Sequence, residues 1–328
     1  MPYYGFNMLY MFSNHSKQPP AQADKKELEF IAKHGFNFIR IPTDYRFWTT
    51  NFDYLNPDER VFGRIDQYFE ICKSYGLHFS LNLHRAPGYC INSNNLEKHN
   101  LWKDEEALEA FVFLWEGFAK RYKGIPSDEM SFDLLNEPPS EGQYGFTRDI
   151  HQKVMRTTIK AIRDIDPNRP IIIDGIGGGH HSMPEMADVG VIHSGRGYTP
   201  FQVSHNQAGW CGDIKWVEPV YPGEMNGEYW NRDVLLNFYQ PWIDVEKQGV
   251  EIHIGEFGCY NKTPNDVALR WLGDLMSVYK QLGWGYALWN FQGAFGIVEH
   301  GRPGVKYTEI DGFMVDKDLL DIMKENRK

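Results

Sequence analysis

The stretches SFDLLNEPP at residues 131–139 and EIHIGEFGCY at residues 251–260 decide the fold of this sequence. In each, a short apolar run typical of a buried strand ends at a glutamate, Glu137 in the first and Glu256 in the second. The two glutamates lie far apart in the chain, so only a closed fold that gathers strand ends on one rim brings them together. A (β/α)8 barrel does this, because its catalytic residues lie at the carboxyl ends of several strands.

Each glutamate has a structural alternative when it is considered alone. Glu137 could be an acid near a helix N-terminus, where a negative charge is favourable, and Glu256 could be a buried acid paired with an arginine. The flanking residues Asn136 and Pro138 make the first stretch more specific, and we therefore favour catalytic roles for both glutamates.

Composition bounds the fold class and the kinds of partner. The 328 residues, 42% hydrophobic and 24% charged, suffice for one large core, so we expect a single α/β domain over residues 1–328, a (β/α)8 TIM barrel. The net charge of −10 argues against nucleic acid and anionic membranes, which require a basic face. A neutral substrate is easier to reconcile with this charge, and the oligomeric state is not readable from the sequence.

Periodicity and turn residues place the elements of this barrel. The predicted strands cover residues 4–12, 36–41, 77–83, 130–135, 171–174, 189–193, 250–254 and 285–289. The predicted helices cover residues 22–34, 65–75, 105–122, 146–166, 234–248, 264–282 and 317–325, and the helix of the fifth pair is placed around residues 183–187.

Five short motifs, in this order, together resemble glycoside hydrolase family 5, the cellulase family of retaining β-glycosidases. They are Arg40 in FIRIP, His84 in LNLHRAPG, Asn136 and Glu137 in NEP, Glu256 in IGEFG and Trp289 in ALWNF, and they extend over essentially the whole chain.

The resemblance implies a role for each of these residues. Glu256 is the expected nucleophile and Glu137 the expected acid/base, with their carboxyl groups roughly 5 to 5.5 Å apart and no cofactor required. Asn136 is expected to bind the sugar 2-hydroxyl, and His84 to bind substrate or stabilise the structure of the site. Trp289 is expected to form the floor of the sugar-binding site.

Arg40 interrupts an apolar strand, and a buried arginine there needs a carboxylate partner. We expect it to pair with Glu256 and hold that group ionised. The alternative is a structural ion pair with some other acid.

The segment RGYTPFQVSH at residues 196–205 departs from the family pattern. Tyr198 matches the family's tyrosine, which is expected to donate to Glu256, but Arg196 stands where a histidine is usual. An arginine cannot switch protonation near neutral pH. It could hold a carboxylate ionised, bind a substrate hydroxyl or acidic group, or face elsewhere while His193 or His205 takes over.

Aromatic residues make up 15% of the chain, and flat sugar faces stack on such rings. Trp48, in the loop after the second strand, is a candidate stacking platform or else anchors its loop. Trp210 belongs to a long segment at residues 206–231, which is expected to form a substrate wall, with capping of the core as the alternative.

No cofactor or metal is expected. The loop GIGGGHHS at residues 175–182 lacks the GK[ST] of a phosphate-binding loop and is predicted to be a tight rim loop. Adjacent residues such as His180 and His181 seldom face one ion together. A metal-dependent hydrolase would have only His84, His193 and His205 as ligands, and a non-catalytic carbohydrate-binding barrel would not need both glutamates.

The leading functional hypothesis is a retaining endo-β-1,4-glucanase. The alternatives within the same fold are a β-mannanase, a xyloglucanase and an exo-acting β-glucosidase. The four cysteines have no CxxC spacing and are expected to be free thiols. The opening MPYYGFNMLYMF lacks the features of a secretory signal, which predicts a soluble, cytoplasmic protein as the sequence is written; a protein with a removed signal would be secreted.

Overall fold

A computed structural model of the chain describes residues 2–15 and 17–328. Its main sheet is a closed barrel of eight parallel strands, in the order β1-β10-β9-β6-β5-β4-β3-β2. These strands are β1 Tyr4–Asn7, β2 Phe38–Asp44, β3 His78–Arg85, β4 Met130–Asp133, β5 Ile171–Asp174, β6 Ile192–Gly197, β9 Ile252–Phe257 and β10 Gly285–Leu288. The predicted (β/α)8 barrel is confirmed.

Helices alternate with the strands along the chain. The α-helices are α1 Lys25–Lys33, α2 Glu59–Ser74, α3 Glu105–Arg121, α4 Arg148–Ile165, α5 Ile176–Gly179, α6 Phe201–Ser204, α7 Arg232–Phe238, α8 Gln240–Glu246, α9 Asn265–Leu282 and α10 Lys317–Glu325. Short 3₁₀ helices cover Tyr45–Phe47, Asn94–Leu96, Gln143–Gly145 and Pro184–Val189. Two antiparallel hairpins lie outside the barrel, β7 Gly223–Met225 with β8 Glu228–Trp230, and β11 Tyr307–Ile310 with β12 Phe313–Asp316.

Local sequence explains where the helices begin and end. The Asp24 carboxylate accepts from the Lys26 backbone N–H at the start of α1, and the Thr147 hydroxyl accepts from the Ile150 N–H at the start of α4. Gly76 follows the end of α2 with a φ of 68°, a left-handed conformation that glycine adopts without a Cβ clash.

The chain divides into two compact units. The Glu137 unit comprises Met8–Gly195 and Val245–Ile252, and the Glu256 unit comprises Met1–Asn7, Arg196–Asp244 and His253–Lys328. The prediction of one domain over residues 1–328 stays a prediction.

Several predicted boundaries differ from the structure. Strands β2, β3, β6 and β9 run further than predicted, so Arg40 lies inside β2, and Arg196 and Glu256 lie within the last residues of β6 and β9. The predicted helix at 234–248 is two short helices, α7 and α8, and the predicted helix around 183–187 is the 3₁₀ helix Pro184–Val189. The two hairpins were not predicted.

Every cysteine is a free thiol, as the sequence predicts. No helix within residues 2–15 and 17–328 is both long and apolar enough to cross a membrane.

Candidate active site

Glu256 lies near the carboxyl end of β9 with only 3% of its surface exposed. The Tyr198 hydroxyl donates to Glu256 Oε2 at 3.1 Å, and Arg196 Nη2 lies 3.4 Å from Glu256 Oε1. Both carboxylate oxygens are therefore engaged, one by a neutral donor and one by a permanent positive charge. Such partners stabilise the charged form of a carboxylate in a buried position.

The hydrogen bond between Tyr198 and Glu256 agrees with the family resemblance, and the position of Arg196 answers the question raised by its departure from the pattern. Arg196 is fully buried and forms an ion pair with Glu256 rather than facing elsewhere. Its backbone carbonyl accepts from the Tyr239 hydroxyl at 2.9 Å, and Tyr239 in turn lies 2.8 Å from the Tyr279 hydroxyl. Burial raises the pKa of Tyr239, so this phenol remains a neutral donor.

Gly197, between Arg196 and Tyr198, has no room for a side chain. A Cβ at this position would lie 2.2 Å from the Tyr279 hydroxyl oxygen and 2.6 Å from Phe257 Cβ. The glycine therefore allows β6 to approach its neighbours closely enough for both flanking side chains to reach Glu256.

His205 supports the ring of Tyr198. Its imidazole stacks on Phe201 with centroids 4.4 Å apart and meets the Tyr198 ring edge-on at 4.8 Å. Its Nδ1 lies 2.9 Å from the Ser204 hydroxyl, and Ser204 also bonds the Tyr198 carbonyl. His193 is buried in the Glu137 unit, and burial lowers its pKa to about 4.

Two tryptophans of the Glu256 unit are not fully buried. Trp210 is 58% exposed, and its ring lies 4.8 Å from Tyr260 and 6.2 Å from Phe295. Trp289 is half-buried directly after β10, where its backbone N–H donates to the Phe257 backbone carbonyl at 2.8 Å. The exposed indole of Trp210 suits a sugar ring.

Glu137 lies beyond β4 in an unusual backbone conformation. Its φ is 48°, a left-handed value that costs a non-glycine residue free energy and is held only by surrounding contacts. The Glu137 N–H donates to Asp174 Oδ2 at 3.0 Å, and the Glu137 carbonyl accepts from the Tyr89 hydroxyl at 2.6 Å. The residue is partly exposed, whereas Glu256 is buried.

The glycine loop at residues 175–182 supports the same segment. The Gly177 and Gly178 N–H groups donate to the carbonyls of Pro139 and Pro138 at 3.1 and 2.9 Å. Both glycines have positive φ values, 64° and 69°. The loop therefore fastens the two prolines that follow Glu137.

Arg40 has the carboxylate partner that its burial requires. Its Nε donates to Asp133 Oδ2 at 2.6 Å, its Nη2 donates to Asn136 Oδ1 at 2.9 Å, and Nη2 lies 3.7 Å from Asp174 Oδ2. These contacts give Arg40 the structural ion pair that was the alternative, and they fix the amide of Asn136. The predicted pairing with Glu256 stays a prediction.

His84 lies in β3 and is 5% exposed. Its Nε2 lies 3.2 Å from Asn92 Nδ2, and its ring meets Phe12 at 4.5 Å.

The prediction of Trp48 as a stacking platform is wrong. Its indole is 1% exposed and packs between Phe62 at 5.4 Å and Phe118 at 5.9 Å. No face is left for a sugar, and the ring anchors its loop to the core, as the alternative proposed.

Sequence reasoning missed three supporting residues, Asp174, Tyr89 and Tyr239. Asp174 carried a usable signal, because it ends a predicted strand just as the glutamates do. The tyrosines carried none, since a phenol in a helix or loop does not show which backbone carbonyl it meets. Within residues 2–15 and 17–328, no group of three or more His, Cys, Asp or Glu side chains is arranged to hold a metal ion.

Comparison with known proteins identifies relatives over nearly the whole chain. Residues 4–294 match the family model described as cellulase, glycosyl hydrolase family 5. Endoglucanase C of Acetivibrio thermocellus (strain ATCC 27405) is 27% identical over 299 residues, covering 82% of this chain and 83% of the relative. Cellodextrinase A of Ruminococcus flavefaciens is 26% identical over 271 residues, covering 79% and 75%. A crystal structure described as a glycoside hydrolase is 56% identical, covers both chains fully and superposes with a TM-score of 0.98.

Proposed function

Because the chain belongs to glycosyl hydrolase family 5, the cellulase family, and is therefore a glycoside hydrolase, we propose that it cleaves β-1,4-glucan with retention of configuration. Glu256 is the nucleophile and Glu137 is the acid/base. The observation that carries the assignment is the engagement of both Glu256 oxygens by Arg196 and Tyr198.

A nucleophilic carboxylate must be charged and aimed when the substrate arrives. Glu256 is nearly buried, and burial alone would disfavour its charge. The guanidinium of Arg196 and the hydroxyl of Tyr198 oppose that penalty and restrict the side chain to one orientation. A buried acid with a purely structural role would need such donors as well. The position of Glu256 near the carboxyl end of a barrel strand, where catalytic residues lie in this fold, favours the catalytic role.

The acid/base has the opposite requirement, since it must exchange a proton with the leaving group and then with water. Glu137 is partly exposed, so water can reach it, and Asp174 and Tyr89 hold its backbone. The backbone from which the Glu137 side chain projects is held in place by Tyr89, Asp174 and the glycine loop.

The reaction then has two displacements. In the first, a Glu256 oxygen attacks the anomeric carbon, the glycosidic bond breaks, and its electron pair takes the proton of Glu137. In the second, water attacks the same carbon and gives its proton to Glu137, and the bond to Glu256 breaks. Each displacement inverts the centre, so the product retains the configuration.

Asn136 and Arg40 contribute through the sugar 2-hydroxyl. The Arg40 Nη2 group binds Asn136 Oδ1 at 2.9 Å, which orients the amide so that its NH₂ group is the end presented as a donor. A hydrogen bond to the 2-hydroxyl strengthens as the transition state develops, and it therefore raises the rate rather than only the affinity.

The choice of β-1,4-glucan rests on two supports. Relatives of this chain carry the names endoglucanase and cellodextrinase, and the exposed indole of Trp210 offers a face for an unsubstituted glucosyl ring. His84 is also assigned to substrate binding.

The test is product analysis on β-1,4-glucan, mixed-linkage glucan, mannan, xylan and β-1,3-glucan, with Glu256→Gln and Glu137→Gln as variants. Both should lower kcat/KM by roughly a thousandfold or more, since each removes a group that takes part in bonding. Glu251→Gln, an exposed glutamate near the start of the same strand, is the matched control and should keep wild-type activity. Wild-type turnover in both variants would contradict the assignment, and hydrolysis of another glycan alone would correct the substrate.

A further inference from the structure

An open groove lies on the outer surface of the Glu256 unit, at the hairpin β7–β8 and helix α7. Its volume is about 510 Å³, within the range of roughly 300–1,000 Å³ that small-ligand sites occupy. The groove is lined by Glu228, Tyr229, Trp230, Val234, Asn237 and Phe238.

Tyr229 is the most exposed ring in this groove, at 59% of its surface. Within residues 2–15 and 17–328, no hydrogen bond or ring contact engages its side chain. Trp230 is half-buried beside it, and the Phe238 ring lies on the helical side of the groove. An aromatic residue left uncovered in this way offers a face for another flat, weakly polar surface.

The hairpin that presents Tyr229 is firmly held. Its strands pair in the registers Gly223 with Trp230 and Met225 with Glu228, and Met225 is 4% exposed. A Cβ on Gly223 would lie 2.4 Å from Val220 Cγ1, so the turn into the hairpin is tightly packed. The backbone that presents Tyr229 is therefore preformed, and a ligand needs to order only the side chain.

The polar members of the groove are a carboxylate and a carboxamide, Glu228 and Asn237, both exposed. These groups accept from and donate to hydroxyl groups. Of the six described residues that line the groove, none is cationic, so it lacks the charge that a phosphate or other anion would require. Aromatic faces flanked by such polar groups suit a neutral sugar chain.

This groove lies away from Glu256. Arg232, directly after the hairpin, donates to the Ser277 hydroxyl at 2.8 Å and to Gln281 at 2.5 Å, near the end of α9. Helix α9 begins at Asn265, shortly after the strand end that carries Glu256, and Gln281 lies about 24 Å further along its axis. The hairpin is thus attached at the end of α9 remote from the Glu256 carboxylate.

We propose that the Tyr229 groove is a second glucan-binding site, which holds a β-1,4-glucan chain without cleaving it. The inference rests on the proposed function for its choice of polymer. The role of the groove is to keep the enzyme on an insoluble or long substrate, while hydrolysis takes place elsewhere.

The experiment measures adsorption of the full chain to amorphous cellulose in a Glu256→Gln background, so that no substrate is consumed. Tyr229→Ala should raise the dissociation constant for adsorption by about tenfold. A change of this size is expected when one stacking contact and the area that it buries are lost. Tyr229→Phe should adsorb like the parent, because the ring remains. Phe113→Ala, which removes an exposed ring of α3 in the Glu137 unit, is the matched control and should have no effect.

The same substitution in the active enzyme separates this inference from the proposed function. Tyr229→Ala should hydrolyse a soluble aryl β-cellobioside at the wild-type rate and lose activity only on amorphous cellulose. Thermal unfolding of Tyr229→Ala, expected at the wild-type temperature, checks that the hairpin remains folded. Adsorption is read without turnover, so a failure of the catalytic assignment leaves this result interpretable.

Four results would overturn the inference. They are unchanged adsorption in Tyr229→Ala, an equal loss in Phe113→Ala, release of the parent protein by 0.5 M salt, and a dimer that Tyr229→Ala dissociates. Release by salt would indicate a charged partner, because binding of a neutral glucan does not depend on screened charges. A dimer would show that a second copy of the chain covers the groove.

Discussion

Arg196 Nη2 lies 3.4 Å from Glu256 Oε1, and both side chains are almost completely buried. The pair supplies a permanent positive charge where a family histidine would supply a titratable one. A guanidinium stays charged at every pH at which the enzyme works. The charge on the proposed nucleophile therefore does not depend on the protonation of its neighbour.

Arg196→Met should move the acid limb of the kcat/KM profile to higher pH, because a nearby opposite charge favours the ionised carboxylate. Arg196→Lys keeps the charge and should keep the position of that limb, even with a lower rate. The measurement is kcat/KM on an aryl β-cellobioside from pH 4 to 8. An acid limb at the wild-type position in Arg196→Met would show that the arginine has no electrostatic role.

Tyr198→Phe should lower kcat/KM by roughly tenfold to a hundredfold, since a hydrogen bond to a charged group contributes about 1.5–3 kcal/mol. The phenyl ring keeps its contact with His205, so the unfolding temperature should stay near the wild-type value. Steady-state kinetics and thermal unfolding are measured together. A large loss of stability with unchanged kinetics would assign Tyr198 to the fold rather than to Glu256.

Gly197→Ala should destabilise the protein by about 1–3 kcal/mol, the usual cost of an added methyl group in a packed core. The new Cβ would lie 2.2 Å from the Tyr279 hydroxyl oxygen and 2.6 Å from Phe257 Cβ, and the second clash cannot be relieved by rotating a side chain. Activity should fall as well, because Arg196 and Tyr198 flank this residue. Gly209→Ala, where no atom lies within 4 Å of the added Cβ, is the control, and an equal effect there would contradict the packing argument.

Acid should destabilise the fold through buried histidines. Burial lowers the pKa of His151 to about 3 and the pKa values of His193 and His78 to about 4. Near pH 6.5 these side chains begin to bind protons in the unfolded chain while they remain neutral in the folded one. The contribution of these neutral histidines to the free energy of unfolding is therefore complete above pH 6.5, and it is lost as the pH drops towards 4.

The histidine with the lowest pKa gives the test. His151→Phe should reduce the acid dependence of the unfolding free energy by up to about 1.4 kcal/mol per pH unit, measured by urea unfolding between pH 4.5 and 7.5. His15→Phe, at an exposed position, should leave the dependence unchanged. The same slope in wild type and His151→Phe would refute the role of His151.

Much of the fold follows from periodicity and turn chemistry. Strand β5 and helix α10 begin and end where the sequence predicts, since each is an uninterrupted apolar or amphipathic run between clear boundaries. The split between α7 and α8 was missed, because the apolar spacing continues across Tyr239 while the backbone does not. The hairpin β7–β8 was not predicted, because strands of three residues are too short to show a pattern of alternating apolar and polar residues.

The site was predicted at the level of residue types and less well at the level of contacts. A strand that ends in a glutamate is visible in one sequence, but the partner of a buried arginine is not. Arg40 binds Asp133, which no sequence pattern indicates, and its pairing with Glu256 stays a prediction. Trp48 misled for a related reason. A loop composition does not show whether a ring faces solvent or the core, and this ring faces the core.

The most direct measurement is azide rescue of Glu256→Ala and Glu137→Ala with an activated aryl β-cellobioside. In Glu256→Ala the anion takes the place of the nucleophile, so the account predicts an α-cellobiosyl azide. In Glu137→Ala the covalent intermediate still forms on Glu256 and azide intercepts it, so the account predicts the β-azide. Exchanged products would reverse the two roles, and the absence of any azide product from both variants would contradict the double displacement.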